Sequence, residues 1–369
     1  MSQQFAPDWF SPPGSTIAML MARQNLTSGE LARRLNADSS FVLRIISGTE
    51  PIEKAVAIRL ADALGGTPSF WTARQSRFEA ALDRTARKLA PEVAKTWLRT
   101  LPLKDMNDAG WIACRSKSDL LHAALAYFSV MTPDEWRDRY AAHATTFSYR
   151  TSEAFESKLG ALAAWLRQGE LQASSVKCAT WSPSKFREAL VAIRGLTRLK
   201  EPAKFISHLR SFCAAAGVAV VFIKAPTGCR ASGATRFITP DKAMLILSFR
   251  HLSDDHFWFS FFHEAGHLLL HSPGATFVDG DAAELTEKER EANSFAASSL
   301  IPMSEHERML NLRSNMNAVV RFAVSLGIAP GIVVGQLQHH GVISPSQLNG
   351  LKRRYTWDQV QSAITELTP

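Results

Sequence analysis

The sequence predicts a mostly helical α+β protein with a small β-sheet, and three features support this fold class. Residues 15 to about 70 read as short helices separated by tight turns. Two apolar runs, VAVVFI (218–223) and AMLILSF (243–249), read as strands joined by a loop that contains Gly and Pro. A helical aromatic segment then ends in HEAGH at 263–267. We therefore predict an N-terminal helix-turn-helix bundle and, behind it, an α+β domain that carries the HEAGH helix.

The chain is too long for a single core. At 369 residues, two or three domains are expected. We predict a helix-turn-helix domain over 1–75, a helical middle region over 76–213, an α+β domain over 214–305 and a C-terminal helical segment over 306–369. In the middle region, helical periodicity is broken at Pro91, Pro102, Pro133, Pro183 and Pro202.

The helix-turn-helix prediction depends on capping residues. Thr27-Ser28-Gly29-Glu30 forms a capping box that opens a helix through Leu35. Asp38 caps a second helix, SSFVLRIIS, which stops at Gly48. The second helix would lie in the major groove of DNA.

Polar residues on the second helix are the candidate DNA contacts. Ser39, Ser40 and Arg44 can reach base edges or phosphates. Further phosphate contacts come from the arginines of the flanking helices, Arg23, Arg33 and Arg34. Helical periodicity alone also fits a small bundle with a solvated arginine face.

Segments of the first 71 residues resemble the HigA-type antitoxins of the lambda-repressor-like helix-turn-helix family. The matching pieces are PG at 13–14, ELARRL at 30–35, the SG-x-x-PI turn at 47–52 and A-x-RLADALG-x-x-x-x-FW at 57–71. The resemblance implies a five-helix domain that binds double-stranded operator DNA as a homodimer.

The HEAGH segment predicts a metal site. Positions i and i+4 share one face of a helix, so His263 and His267 can hold one Zn²⁺. Glu264 lies beside them, where it can act as general base on the water at the open position. The strand at 243–249 lies upstream, where zinc peptidases keep a substrate-binding edge strand. Arg250, His251 and His256 are candidates for transition-state contacts.

The third ligand stays open on spacing alone. Glu284, Glu287, Glu289 and Glu291 are all candidates in the acidic helix that follows. His271 would extend the motif, but a helix cannot easily bring residues eight apart to one ion.

Two separated segments resemble the ImmA/IrrE family of bacterial metallopeptidases: FWFSFFHEAGHLLLH (257–271) and EREANSFAASSLIP (289–302). The resemblance covers about 215–305 and implies a zincin-like metallopeptidase core. It carries over His263, His267 and Glu291 as metal ligands and Glu264 as the catalytic residue. Ser298-Ser299 departs from the Glu-Leu that is usual there. The family typically cuts a repressor protein at one site.

Charge and cysteine content predict where the protein acts. The net charge is +8, yet residues 214–302 carry 7 basic against 10 acidic side chains, a net −3. This distribution suits an N-terminal half that binds a polyanion and an acidic HEAGH-containing segment that binds a cation. The cysteines are Cys114, Cys178, Cys213 and Cys229, without a CxxC pair, which predicts no disulfide and a reducing cytoplasm. No apolar run approaches the ~20 residues that cross a bilayer, and the first residues do not resemble a secretory signal.

Together these features predict a DNA-binding regulator with a site-specific zinc endopeptidase domain. Its expected partners are operator DNA and a protein substrate, toxin or repressor, in a toxin–antitoxin, prophage or stress-response circuit. The alternative is a non-enzymatic antitoxin or repressor whose metallopeptidase fold only binds a partner. A third interpretation is a structural zinc domain, but that role does not need Glu264.

Overall fold

The computed structural model describes residues 11–113, 119–141, 153–271, 277–279 and 287–366. These residues form two compact units. Unit 1 contains the described residues up to Val176 together with Pro226–Cys229, and unit 2 contains Lys177–Ala225 together with the residues from Arg230 onward. The architecture is predominantly helical with a small mixed sheet, which confirms the predicted α+β class.

Unit 1 is built from helices. They are α1 (Pro13–Arg23), α2 (Ser28–Leu35), α3 (Ser39–Ser47), α4 (Lys54–Leu64), α5 (Pro68–Lys88), α6 (Pro91–Thr100), α7 (Leu103–Asp108), α8 (Leu120–Phe128), α9 (Pro133–Ala141) and α10 (Glu153–Ser174). α5 runs through position 75, which is the predicted end of the first domain. Its buried face, which includes Trp71, Phe78 and Leu82, is continuous across that point.

The α2–α3 pair forms as the capping residues predict. The Thr27 hydroxyl accepts from the Glu30 amide at 3.1 Å, and the Glu30 carboxylate accepts from the Thr27 amide at 2.6 Å. Asp38 Oδ1 accepts from the Phe41 amide at 2.7 Å, and α3 ends at Gly48 with φ +80°. The inward face of α3 consists of Val42, Ile45 and Ile46, as predicted.

Unit 2 combines helices with a sheet. Its helices are α11 (Pro183–Leu196), α12 (Pro202–Ala215), α13 (Asp254–Leu270), α14 (Glu287–Leu300), α15 (His306–Leu310), α16 (Met316–Leu326), α17 (Pro330–His339) and α18 (Trp357–Glu366). Its strands are β1 (Val218–Phe222), β2 (Gly233–Thr239), β3 (Lys242–Leu247) and β4 (Phe277–Asp279). Four of the prolines at which helical periodicity was predicted to break, Pro91, Pro133, Pro183 and Pro202, are the first residues of new helices, where a missing N–H costs nothing.

The sheet has the strand order β1-β3-β2-β4. β1 runs parallel to β3, with Val220 opposite Leu245, and β2 runs antiparallel to β3, with Thr235 opposite Leu245. β3 is therefore central and paired on both sides, so the prediction of an edge strand at 243–249 is wrong. Its continuous apolar sequence reflects this burial, since five of its six residues are buried.

The HEAGH helix α13 crosses the core of unit 2. Phe257, Trp258, Phe261 and Phe262 on this helix are all at most 4 % exposed, and they pack with residues from the sheet and from α12, α16 and α17. Among the described residues, no single helix is long and apolar enough to cross a membrane. α16 and α17 meet that criterion only as a pair, bent by 114°.

Candidate metal centre

Three polar residues of α13 lie inside unit 2. His263, Glu264 and His267 are 2 %, 0 % and 1 % exposed. The i, i+4 spacing brings the two imidazoles together, with 2.9 Å between His263 Nε2 and His267 Nε2. Polar groups are rarely buried without a polar partner or an ion, so this cluster is a candidate functional site.

The carboxylate that approaches the histidine pair belongs to Glu289 on α14. Its Oε2 lies 3.1 Å from His263 Nε2, and its Oε1 lies 3.5 Å from His267 Nε2. His263, His267 and Glu289 form the group of described side chains whose ligand atoms are close enough to hold a metal ion.

Glu291, the ligand implied by the family resemblance, lies elsewhere. Its carboxylate accepts from His271 at 2.9 Å, and its side chain is 53 % exposed. The reason is helical phase, because two residues along a helix turn the side chain by about 200°. Glu289 shares the inward face of α14 with the buried Ala292 and Ala296, whereas Glu291 projects away from the pair.

Neither Glu287 nor His271 belongs to the group of described ligand atoms around the histidine pair. Glu287 is exposed at the start of α14, and Glu284 lies outside the described residues. His271 follows the end of α13 and contacts the pair only through His267 Nδ1, at 3.0 Å.

The donor set fits a divalent transition metal. In a tetrahedral zinc site with bonds of about 2.0–2.1 Å, neighbouring ligand atoms lie about 3.3 Å apart. The separations among His263 Nε2, His267 Nε2 and the Glu289 oxygens are 2.9, 3.1 and 3.5 Å. His263 Nδ1 lies 3.0 Å from Asn293 Oδ1, an acceptor that favours the tautomer with its proton on Nδ1 and its lone pair on Nε2.

The charge states suit that role. Burial by itself would raise the pKa of Glu289, but the adjacent imidazoles of His263 and His267 lower it to about 2, so the carboxylate is ionised. Burial lowers the pKa of His267, which favours the neutral imidazole that a metal requires.

Glu264 is enclosed from the side of the sheet. A methyl group placed on Gly233 of β2 would lie 2.6 Å from Glu264 Oε1, so only glycine leaves room for this carboxylate. Neither Gly233 nor Asn293 stood out in the sequence. Asn293 carried a usable signal, since it is one turn after Glu289.

The candidate transition-state residues lie near the start of α13. Arg250 donates to the Arg230 carbonyl at 2.7 Å, and the rings of His251 and His256 lie with centroids 4.1 Å apart, tilted by 31°. His256 is seven residues, or about two helical turns, before His263. The structure does not bring these three residues into the His263, His267 and Glu289 group.

The candidate DNA contacts lie in unit 1. Ser40 is exposed and Ser39 is half-buried. Arg44 is held within the unit: its Nε lies 3.0 Å from Glu50 Oε2, and its guanidinium donates to the Gly110 carbonyl at 3.4 Å.

The flanking arginines and the cysteines complete the set of sequence candidates. Arg23 and Arg33 are exposed, and Arg34 donates to the Ala63 carbonyl at 2.9 Å. Within the described residues, Cys178, Cys213 and Cys229 form no disulfide with one another. Cys114 lies outside the described residues.

Comparison with known proteins yielded one family match. No curated protein and no solved structure matched the chain, and no helix-turn-helix domain was detected. The match covers β1 to the start of α17 and so contains the whole His263, His267 and Glu289 group. Residues 213–330 match the IrrE N-terminal-like domain, a peptidase family.

Proposed function

We propose that unit 2 is a site-specific zinc-dependent endopeptidase and that unit 1 binds operator DNA. The observation that carries the peptidase half is the convergence of His263, His267 and Glu289, on a helix that also buries Glu264. Two imidazoles and a carboxylate are a donor set typical of catalytic zinc. The match of residues 213–330 to a peptidase family supports the same assignment.

The chemistry of each side chain indicates its role in peptide-bond hydrolysis. Zn²⁺ in such a site supplies Lewis acidity toward a substrate carbonyl and toward water. His263, His267 and Glu289 would hold the ion at a fixed position. The Glu264 carboxylate takes the proton from the attacking water and delivers it to the leaving amine. Burial of Glu264 excludes bulk water from that proton transfer.

Three protein ligands favour catalysis over a structural role. Structural zinc sites fill four positions with protein side chains, whereas catalytic sites leave one position for water or substrate. Within the described portion of the chain, the group around α13 has three members. A non-enzymatic docking module would have no use for the buried Glu264.

The proposal for unit 1 depends on its α2–α3 geometry and exposed polar residues. Asn36, with φ 50°, turns the chain between the two helices, and Ser40 and Arg33 remain exposed. We further propose that the protein acts as a homodimer in the cytoplasm, within a toxin–antitoxin, prophage or stress-response circuit.

Glu264→Gln tests the peptidase assignment, because it keeps the shape of the side chain and removes the base. Wild type and variant are incubated with the proteins encoded beside this gene, and a reporter is driven from the native promoter. We expect wild type to release a partner fragment, and Glu264→Gln to keep about one Zn²⁺ per chain without cleaving.

Glu188→Gln is the matched control, since Glu188 is an exposed carboxylate on α11, and it should cleave like wild type. Reporter traces of wild type and Glu264→Gln that superimpose under every inducing condition, with no fragment on a gel, would leave the docking module as the better account.

A further inference from the structure

The two histidines of the candidate metal centre use their second ring nitrogens differently. His263 Nδ1 meets the amide oxygen of Asn293 at 3.0 Å. His267 Nδ1 meets His271 Nδ1 at 3.0 Å, and His271 Nε2 meets Glu291 Oε2 at 2.9 Å. A chain of three side chains therefore connects the exposed carboxylate of Glu291 to the buried His267.

We propose that His271 and Glu291 are positioning residues that fix the orientation and tautomer of His267 for metal binding. The inference rests on the proposed metal site, and it gives Glu291 a role that differs from the ligand role implied by the family resemblance.

The chemistry of the chain admits one arrangement of protons that is compatible with metal binding. The Glu291 carboxylate only accepts, so His271 Nε2 carries a proton and donates it. A neutral His271 then has a lone pair on Nδ1, which accepts from His267 Nδ1–H. This arrangement leaves the lone pair of His267 on Nε2, the atom that faces His263 and Glu289.

Local structure holds His271 in place. It follows the last residue of α13, and its backbone N–H donates to the His267 carbonyl at 3.2 Å. Its imidazole is 4 % exposed and contacts His267 through Nδ1 and Glu291 through Nε2. One helix, α14, thus provides a ligand from its inward face at Glu289 and an anchor from a second face at Glu291.

Zinc affinity of the full-length protein, measured by competition with a chromophoric chelator, tests this role. His271→Ala should weaken Zn²⁺ binding by about 10–100-fold, the usual effect of losing a group that supports a ligand. Glu291→Gln should weaken it less, because Glu291 acts through His271. The double variant should bind as weakly as His271→Ala alone, since Glu291 has no path to the metal once His271 is gone.

A spectroscopic measurement separates positioning from general stability. In the Co²⁺-loaded protein, the Nδ1–H protons of both ligand histidines should give shifted, exchangeable NMR signals. His271→Ala should expose the His267 proton to rapid exchange and remove its signal. The His263 signal should persist, because its partner Asn293 is unchanged.

The outcomes separate this inference from the proposed function. Glu287→Gln, which makes the same charge change one turn earlier on α14, should bind zinc like wild type. If wild type binds zinc and both His271→Ala and Glu291→Gln match it, the positioning role is wrong and the metal site stands. Loss of zinc in Glu291→Gln as severe as in Glu289→Gln would make Glu291 a ligand. If wild type itself binds no zinc, the proposed function and this inference both fail. Should His271→Ala not fold, the exposed position of Glu291 keeps the test available through Glu291→Gln.

Discussion

Helices α3 and α13 both carry polar residues that the sequence predicts to be functional, but these residues are buried on α13 and exposed or paired within the unit on α3. On α13, His263 and His267 are buried and share contacts with Glu289 from a second helix. On α3, Ser40 faces solvent and Arg44 is paired with Glu50. Buried polar side chains need polar contacts or an ion, so their contacts indicate a function. Exposed polar side chains are satisfied by water, so their position is compatible with both a binding role and simple solvation.

The largest expected effect is on the stability of unit 2. Zn²⁺ at 1,000 times its dissociation constant stabilises a folded protein by about 4 kcal/mol. Chelation, or His263→Ala, His267→Ala or Glu289→Ala, should remove that stabilisation from unit 2 and leave the unfolding of unit 1 unchanged. Calorimetry with and without chelator checks this, and full zinc occupancy in the double histidine variant would refute the ligand assignment.

A second buried carboxylate of α13 should make stability depend on pH. Burial raises the pKa of Asp254 to about 6, against amide hydrogen bonds that lower it. Because the pKa is higher in the folded state, the contribution of this carboxyl to the free energy of unfolding is fully present below its unfolded-state pKa. That contribution is lost as the pH rises through the folded-state pKa of about 6. From pH 3.8 to above 6 the loss is about 3 kcal/mol. Urea unfolding of Asp254→Asn should lack this fall, and parallel pH profiles for variant and wild type would show that the carboxyl is not perturbed.

Gly233 tests how closely the sheet encloses Glu264. Gly233→Ala places a methyl group against that carboxylate and should displace it. A misplaced catalytic group costs about 100-fold in rate, while the zinc content should stay at the wild-type level. Gly195→Ala is the control, because no heavy atom lies within 4 Å of the added carbon. Equal cleavage rates for the two variants would mean that Glu264 has room to move.

The smallest effect is expected on α3. Arg44→Ala removes the ion pair with Glu50. The side chains of Arg44 and Glu50 are 19 % and 13 % exposed, so the loss should cost about 1 kcal/mol of stability. If Arg44 also reads a base, the free energy of operator binding should become less favourable by ~1–3 kcal/mol. Gel-shift titrations compare it with Arg77→Ala, an exposed arginine on α5. Identical losses in the two variants would assign Arg44 a role in packing and general charge only.

Much of the metal centre could be predicted because two of its three ligands lie on one helix. HEAGH fixes the relative position of His263 and His267 through helical geometry alone. The third ligand comes from a separate helix, so its identity depends on the rotational phase of α14 against α13. Spacing left Glu284, Glu287, Glu289 and Glu291 all open as the third ligand, and the resemblance selected Glu291.

Tertiary packing also decided the fold features that local patterns missed. The apolar run of β3 predicts a buried strand, but its central place depends on β1 and β2 pairing with it from distant positions. The end of the first domain could not be located from sequence because α5 continues past residue 75 with one buried face. Caps at Thr27, Asp38 and Gly48 were predictable, since each acts within a few residues.

We propose that α13 and α14 build a three-ligand zinc centre with one position left for water or substrate. Anomalous diffraction from crystals of the zinc-loaded protein, recorded at the zinc absorption edge, tests this arrangement. We expect one peak per chain, bound by His263 Nε2, His267 Nε2 and the Glu289 carboxylate, with no fourth protein ligand. A peak coordinated by Glu291, or by four protein side chains, would contradict it.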